Sequence, residues 1–185
     1  MAYAIGAIFG SGVTATPIID QGVPKMVIIL MGVSGSGKTT VGQTLAHKLH
    51  WEFHDADELH SPANIEKMRR GIALTDDDRE AWLDAVRALI ERCLDGAGAV
   101  IACSALKQSY RERLMVDSTG VRLVFLKGSR ALIARRLAMR AGHFFDPRLL
   151  RSQFETLEEP ADAMVVDISA SPDAIAEDIT ARLHG

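Results

Sequence analysis

Residues 32–39 form the densest cluster of residues in this chain that could do chemistry. The run reads Gly-Val-Ser-Gly-Ser-Gly-Lys-Thr and meets every fixed position of the pattern G-x-x-x-x-G-K-[ST]. Glycines let the backbone curl so that successive N–H groups point at phosphate oxygens, while Lys38 supplies a cation and Thr39 a hydroxyl for Mg²⁺. The pattern predicts a nucleoside triphosphate site. Its members are Gly32, Ser34, Gly35, Ser36, Gly37, Lys38, Thr39 and Thr40.

The segments on either side of this run have the pattern that such a loop needs. Residues 26–31 are an unbroken apolar run typical of a buried parallel strand, and residues 39–49 have helical periodicity. The helix dipole would add to the anion site. Two alternatives are a Gly/Ser-rich linker and a dinucleotide-binding loop. The second lacks its third glycine, because Thr40 stands at that position.

Further along the chain, apolar runs alternate with segments of helical periodicity. The strand-like runs are residues 51–55, 99–103, 121–126 and 164–168. The clearest helix is predicted over Arg79–Leu94, where apolar residues share one stripe and charged residues the other. The alternation predicts a parallel sheet with helices on both faces.

Composition favours one soluble domain over residues 26–185. The chain has 185 residues, of which 48% are hydrophobic, enough for a sizeable core. A formal net charge of -3 argues against a nucleic-acid partner. Cys93 and Cys103 are too few for a disulfide framework or a zinc site, which fits a reducing cytoplasm.

Residues 1–25 precede the first strand and complete no motif, so they are expected to be a disordered extension. The first basic residue is Lys25, and Gly, Ser and Asp20 interrupt the apolar residues. Neither a signal peptide nor a membrane span is therefore predicted there.

Acidic side chains follow the second predicted strand. Ligands of open α/β sheets collect at the carboxyl ends of the strands, and Asp55 and Asp57 stand at such an end. Phosphoryl transfer needs a metal and a carboxylate that orients the attacking hydroxyl, and these two aspartates suit those tasks. The alternative is that the acids only cap the helix that begins near Ser61-Pro62.

Basic residues stand at comparable positions. Asp76, Asp77 and Asp78 are explained by the helix dipole, whereas Arg79 is not, so it is predicted to bind an anionic substrate. Ser104, Lys107 and Arg111 follow the third strand and could be either a solvated helix start or part of the same site.

A further cluster of basic residues has the composition of a lid. Arg136 and Arg140 are spaced i, i+4 and precede Gly142-His143-Phe144-Phe145. Such a segment could close over a bound triphosphate, exclude water and neutralise the transferring group. A solvated basic helix face is the alternative.

Several of these segments, taken in order, resemble the gluconokinase family. They are Gly32–Lys38, Asn64–Met68, Asp76–Arg79, Cys103–Lys107, Tyr110-Arg111, Gly142–Phe145 and Gln153–Pro160. The resemblance implies a three-layer P-loop kinase fold with five parallel strands in the order 2-3-1-4-5 and a helical lid. It also implies transfer of a phosphoryl group from ATP to the 6-hydroxyl of D-gluconate, and a homodimer.

The resemblance also implies roles for individual residues. Lys38 and Thr39 would serve the triphosphate and Mg²⁺, with Asp55 supporting the metal and Asp57 acting as base. Arg136 would cover the adenine, and Arg140 would be a catalytic lid arginine near the γ-phosphate. The substrate-binding candidates are Asp57, His60, Arg79, Ser104, Lys107, Arg111 and His143.

The chain also departs from the pattern. Ala56 stands where the pattern has a glycine between two aspartates, and Arg69-Arg70 adds positive charge.

Two other functions remain open. A kinase of another small hydroxy acid, such as shikimate, would also need pocket cations, because these recognise a carboxylate rather than a carbon chain. A nucleotide-dependent switch is the more distant possibility. It would need an [NT]-K-x-D element, and the only asparagine is Asn64, outside any such pattern.

Overall fold

Five short segments form one parallel sheet in the computed structural model, which describes residues 26–139 and 147–184. The strands are β1 (Val27–Met31), β2 (Glu52–Asp55), β3 (Ala99–Ala102), β4 (Val121–Lys127) and β5 (Met164–Asp167). Their order in the sheet is β2-β3-β1-β4-β5, and every pairing is parallel. The predicted fold class and strand order are therefore confirmed.

Helices cover both faces of the sheet. They are α1 (Lys38–Leu49), α2 (Pro62–Arg69), α3 (Asp76–Leu94), α4 (Gln108–Leu114), α5 (Arg130–Met139), α6 (Pro147–Thr156) and α7 (Pro172–His184), with a short 3₁₀ turn over Ala56–Leu59. None of the helices in the described ranges is long and apolar enough to cross a membrane. The expectation for residues 1–25 lies outside the described residues.

The central strand β1 supplies both layers of the core, because successive side chains of a strand point to opposite faces. Ile28 and Leu30 pack in the cluster that contains residues of α1 and α7. Val27, Ile29 and Met31 pack in the cluster that contains residues of α3 and α4. This burial on both faces explains why β1 is an unbroken apolar run.

Helix α3 begins three residues earlier than its apolar stripe predicts. Thr75 caps it: the Thr75 side chain accepts a hydrogen bond from the Asp78 N–H, and the Asp78 side chain accepts one from the Thr75 N–H. This capping box satisfies two free backbone donors at once. Asp76, Asp77 and Asp78 therefore form the first turn of α3.

The loops after β1 and β3 are held together at the carboxyl edge of the sheet. The Cys103 N–H donates to the Leu30 carbonyl at 3.0 Å, and the Gly32 N–H donates to the Ser104 carbonyl at 3.4 Å. Parallel register brings the ends of β1, β2 and β3 to this edge. The polar residues that follow these strands consequently converge.

Candidate active site

The loop between β1 and α1 has the backbone of an anion cradle. Gly35 has φ 82° and Gly37 has φ 97°, values that favour glycine. A Cβ at Gly35 would also lie only 2.7 Å from Cγ of Leu137. Gly37 is the N-cap of α1 and gives it no side-chain cap, so the first N–H groups of the helix are available to an anion.

Lys38 lies folded over this loop. Its Nζ donates to the carbonyl of Gly32 at 3.0 Å and to that of Val33 at 3.3 Å. Burial lowers the pKa of the Lys38 ammonium, and the nearby Asp57 and Asp55 carboxylates offset part of that effect. A phosphate oxygen would satisfy this cation more fully than two neutral carbonyls do.

The predicted metal ligands lie next to each other. Thr39 Oγ1 donates to Asp55 Oδ2 at 2.9 Å, and the other carboxylate oxygen, Oδ1, accepts from the Asp57 N–H at 3.1 Å. The residues that the structure describes contain no group of three His, Cys, Asp or Glu that could hold a metal ion. This sparse set of oxygens fits Mg²⁺, which usually keeps several waters and binds the nucleotide phosphates as well.

A cavity of about 540 Å³, which we call the nucleotide cavity, opens in front of this loop. It is lined by Ser34, Gly35, Gly37, Lys38, Thr39, Thr40, Asp55, Asp57, Arg136, Leu137 and Met139. Nη2 of Arg136 donates to the carbonyl of Ile168, just beyond β5, at 2.5 Å. The predicted nucleotide-site residues Ser34, Gly35, Gly37–Thr40 and Arg136 thus line one cavity. Gly32 and Ser36 do not line it, and Ser36 is fully buried.

A second cavity, of about 470 Å³, lies on the other side of Ser34. Two of the predicted substrate-binding residues, Arg79 and Lys107, line it. Its other polar walls come from Asp76 of α3 and from Ser152, Gln153 and Thr156 of α6. Met68 and Ile72 add an apolar surface. We call this space the acceptor cavity.

The cations of the acceptor cavity already have partners. Lys107 Nζ donates to both carboxylate oxygens of Asp76 at 2.7 Å, and the Tyr110 hydroxyl donates to the same carboxylate. Arg79 Nη1 donates to the carbonyls of Leu74 at 2.6 Å and Thr75 at 3.1 Å. Asp76 therefore supplies a negative counter-charge within the acceptor cavity. The sequence analysis had explained this aspartate only by its favourable position at the start of a helix.

The same network shifts the pKa values of its members. Hydrogen bonds from Lys107 and Tyr110 lower the pKa of Asp76, and the bond to Asp76 raises the pKa of Lys107. Burial, followed by the bond to Asp76, raises the pKa of Tyr110. At neutral pH the network is therefore an ion pair beside a neutral phenol.

Among the predicted substrate-binding residues that the structure describes, three line neither of these two cavities. Arg111 is buried, and its Nη1 donates to the carbonyls of Ala105 and Leu106 at 3.1 and 3.0 Å. It thus holds the loop that carries Lys107. Ser104 is half-buried and accepts the bond from the Gly32 N–H through its carbonyl.

The third, His60, is buried and stacks on Trp82 with ring centroids 4.5 Å apart. Burial lowers the pKa of His60, the Asp57 carboxylate opposes that effect, and Arg79 adds to it. Arg140 and His143 lie outside the described residues. The substrate contacts predicted for Arg111, Ser104, His60 and His143 remain predictions, as do the catalytic role of Arg140 and the roles of the residues that line the cavities.

The two departures from the family pattern have different settings. Ala56 is fully buried in the α3 side of the core, and its carbonyl accepts a bond from Trp82 Nε1 at 2.7 Å. Arg69 and Arg70 are exposed, and Arg69 pairs with Glu66 at 3.2 Å. Neither arginine lines the acceptor cavity, so the extra positive charge lies beside it.

Asp76, Tyr110 and Gln153 are site residues that sequence reasoning did not single out. Asp76 was not singled out because the helix dipole already explains an aspartate at the start of a helix. Gln153 Oε1 accepts a bond from the Ser34 N–H at 2.6 Å, across 119 positions of the chain. The signal available for Gln153 and Tyr110 was their place in the segments that resemble one family.

Comparison with known proteins agrees with this geometry. The sequence model of the shikimate kinase family matches residues 34–184. The gluconokinase of Gluconobacter oxydans is 45% identical over 86% of this chain and 92% of its own length. The thermoresistant gluconokinase of Escherichia coli is 46% identical over 77% of this chain and 84% of its own.

Among solved structures, the crystal structure of a gluconokinase from Sinorhizobium meliloti has a TM-score of 0.78. It is 42% identical to this chain, and the matched region covers 87% of this chain and 92% of the Sinorhizobium meliloti protein. The stretch matched by the shikimate kinase family model, residues 34–184, contains every residue that lines the two cavities. This chain belongs to the gluconokinase family and has the fold of the shikimate kinases.

Proposed function

We propose that this protein transfers the γ-phosphoryl group of ATP to the 6-hydroxyl of D-gluconate. The observation that carries the proposal is that the nucleotide cavity and a cationic acceptor cavity meet at Ser34 of the phosphate-binding loop. A donor and an acceptor bound in these cavities would face each other across that loop. Relatives named gluconokinase support the choice of acceptor.

Lys38 and the loop N–H groups would bind the β- and γ-phosphates. The ammonium would exchange the Gly32 and Val33 carbonyls for phosphate oxygens and follow the charge that develops in the transition state. Thr39 and Asp55 would hold Mg²⁺, which would supply positive charge to offset the charge of the phosphates.

Asp57 would orient the attacking hydroxyl and accept its proton. Asp57 lines the nucleotide cavity together with Lys38 and Thr39, which supports a role for it next to the transferred group. Its backbone N–H is bonded to Asp55, which links the base to the metal site. Proton removal by a positioned carboxylate is the usual contribution of such a residue.

Arg79 and Lys107 would hold the carboxylate of the sugar acid, and Asp76 would accept hydrogen bonds from its hydroxyls. An acid with a polyhydroxyl chain offers both chemistries, whereas a neutral sugar offers only the second. The acceptor cavity also argues against a nucleotide-dependent switch, which needs no second pocket. A kinase of shikimate or another hydroxy acid is the remaining alternative, since the matched family model carries that name.

The experiment is ADP release by the purified protein with Mg-ATP and a panel of acceptors. The panel contains D-gluconate, other aldonates, shikimate, neutral sugars and nucleoside monophosphates, with no acceptor as the blank. We expect strong turnover with D-gluconate and little with the others. Turnover with shikimate or another acid alone would reassign the acceptor, and silence across the panel would remove the kinase assignment.

The cytoplasmic location and the homodimer are also part of this proposal. The two free, buried cysteines support a reducing compartment, and the family resemblance supports the dimer. Analytical ultracentrifugation tests the dimer, because a sedimentation mass near 20.1 kDa would show a monomer.

A further inference from the structure

Helix α6 and the residues after it contact both halves of the site. Near its end, Gln153 holds the phosphate-binding loop: Oε1 accepts from the Ser34 N–H at 2.6 Å, and Nε2 donates to Ser34 Oγ at 3.1 Å. One amide thus makes both of its bonds to a single residue of the loop. Such paired contacts fix orientation as well as distance.

Five residues further on, Glu158 holds the loop that carries Lys107. Its N–H donates to the Leu106 carbonyl at 2.9 Å, and its carboxylate accepts from the Gln108 N–H at 2.5 Å. Lys107 stands between these two contacts in the chain. The segment from Gln153 to Glu158 therefore connects the donor side of the site to the acceptor side.

This connecting segment is anchored and also forms a wall of the acceptor cavity. Phe154 packs against one layer of the core, and Leu157 packs against both. Ser152, Gln153 and Thr156 line the acceptor cavity together with Ser34 and Lys107. A ligand in that cavity would touch the same helix face that fixes Ser34.

We propose that Gln153 is a positioning residue that couples occupancy of the acceptor cavity to the alignment of the phosphate-binding loop. Gln153 acts through Ser34, which lines both cavities. With Ser34 held, the following N–H groups of the loop stay aimed at the phosphates. Without this contact, the loop loses its tie to α6, and the donor and acceptor are less well aligned.

The consequence is a defect in turnover rather than in binding. Misplacement of reacting groups by about 1 Å can cost roughly 10²-fold in rate. We expect Gln153→Ala to lower kcat by roughly ten- to a hundredfold while both KM values stay within about threefold. This kinetic arm rests on the proposed function, because it uses D-gluconate as the acceptor.

A second arm uses no acceptor. Hydrogen–deuterium exchange of peptides covering residues 150–158 is measured with and without a non-hydrolysable Mg-ATP analogue. In the wild type we expect the nucleotide to slow exchange in this segment, because its contact with Ser34 transmits the ordering of the loop. In Gln153→Ala the analogue should leave the segment unchanged.

Further variants separate positioning from folding. Gln153→Asn keeps the amide but is one methylene shorter, so it should lose the contact with Ser34 and show the same fall in kcat as Gln153→Ala. It therefore tests the positioning role even if Gln153→Ala is unstable. Ser34→Ala keeps the backbone bond to Oε1, and its effect should be non-additive with Gln153→Ala. Gln43→Ala, on the exposed face of α1 and outside both cavities, is the matched control and should retain wild-type kinetics.

The outcomes distinguish the two proposals. The positioning role is overturned if Gln153→Ala turns over D-gluconate normally. It is also overturned if the nucleotide analogue does not slow exchange in residues 150–158 of the wild type, or still slows it in the variant. These outcomes leave the gluconate assignment intact. An exchange response that depends on Gln153, in a wild type that does not phosphorylate D-gluconate, supports the positioning role while the gluconate assignment fails.

Discussion

Replacing Lys107 with alanine should weaken binding of the sugar acid without unfolding the protein. The Lys107–Asp76 pair is partly exposed, with 30% and 58% of the two side chains accessible. An exposed pair contributes about 0–1 kcal/mol to stability, so the free energy of unfolding should change little. The residual Asp76 carboxylate keeps its bond from the Tyr110 hydroxyl.

The effect on substrate is larger because it involves a hydrogen bond to a charged group. Such a bond contributes about 1.5–3 kcal/mol, which corresponds to roughly a 10- to 150-fold rise in KM for D-gluconate. In the proposed complex Lys107 would contact the substrate carboxylate, distant from the transferred group, so kcat should be nearly unchanged. The KM for ATP should also stay near the wild-type value, because Lys107 does not line the nucleotide cavity.

The assay is steady-state ADP release with gluconate varied at saturating Mg-ATP. Lys48→Ala is the control, because its side chain is 29% exposed, pairs with Asp173 and Glu177, and lies outside both cavities. A gluconate KM within about twofold of wild type would refute the assignment of Lys107 to the acceptor pocket. A fall in kcat at constant KM would instead mean that Lys107 acts in the transition state.

Three further predictions concern the loop, the base and a capping carboxylate. Gly35→Ala should raise the Kd of an ATP analogue in calorimetry at least tenfold, because φ 82° and a 2.7 Å approach to Leu137 strain any side chain there; unchanged affinity would contradict the cradle. Asp57→Asn should lower kcat by roughly 10²- to 10⁴-fold at near-constant KM, and near-normal turnover would exclude it as base. Bonds from Lys67 and Thr75 lower the pKa of Asp78 from 3.8 to about 2, so its carboxylate adds stability above pH 3.8 that is lost as the pH falls through about 2. The difference in free energy of unfolding between wild type and Asp78→Asn should shrink over that range, and a difference independent of pH would contradict the shift.

The acceptor cavity changes one step of the sequence reasoning. The sequence predicts that Arg79 binds an anionic substrate, because the helix dipole explains the neighbouring acids but not a cation at the start of the helix. In the structure Asp76 forms an ion pair with Lys107, and backbone carbonyls accept hydrogen bonds from Arg79. Basic residues alone therefore do not identify the ligand. The case for a sugar acid rests on the whole pocket, in which a carboxylate and two cations face one cavity, and on the family.

Much of the fold could be predicted because its signals are local. Burial on both faces makes β1 a continuous apolar run, and the observed strands lie within one or two residues of the predicted ones. The strand order came from the family resemblance, since periodicity does not show which strands pair. The start of α3 was misplaced although its signal is local too: Thr75 and Asp78 form a capping box three residues apart.

The sequence by itself determined the chemistry of the phosphate-binding loop, because its backbone conformation and its cation depend on neighbouring residues. Only the tertiary structure decided which side chains are partners across the site. Asp76 meets Lys107 over 31 positions, and Gln153 meets Ser34 over 119. It also decided that Arg111 supports a loop from inside the core. Local patterns report backbone preference and burial, whereas these partnerships depend on how the sheet and helices bring distant segments within hydrogen-bonding distance.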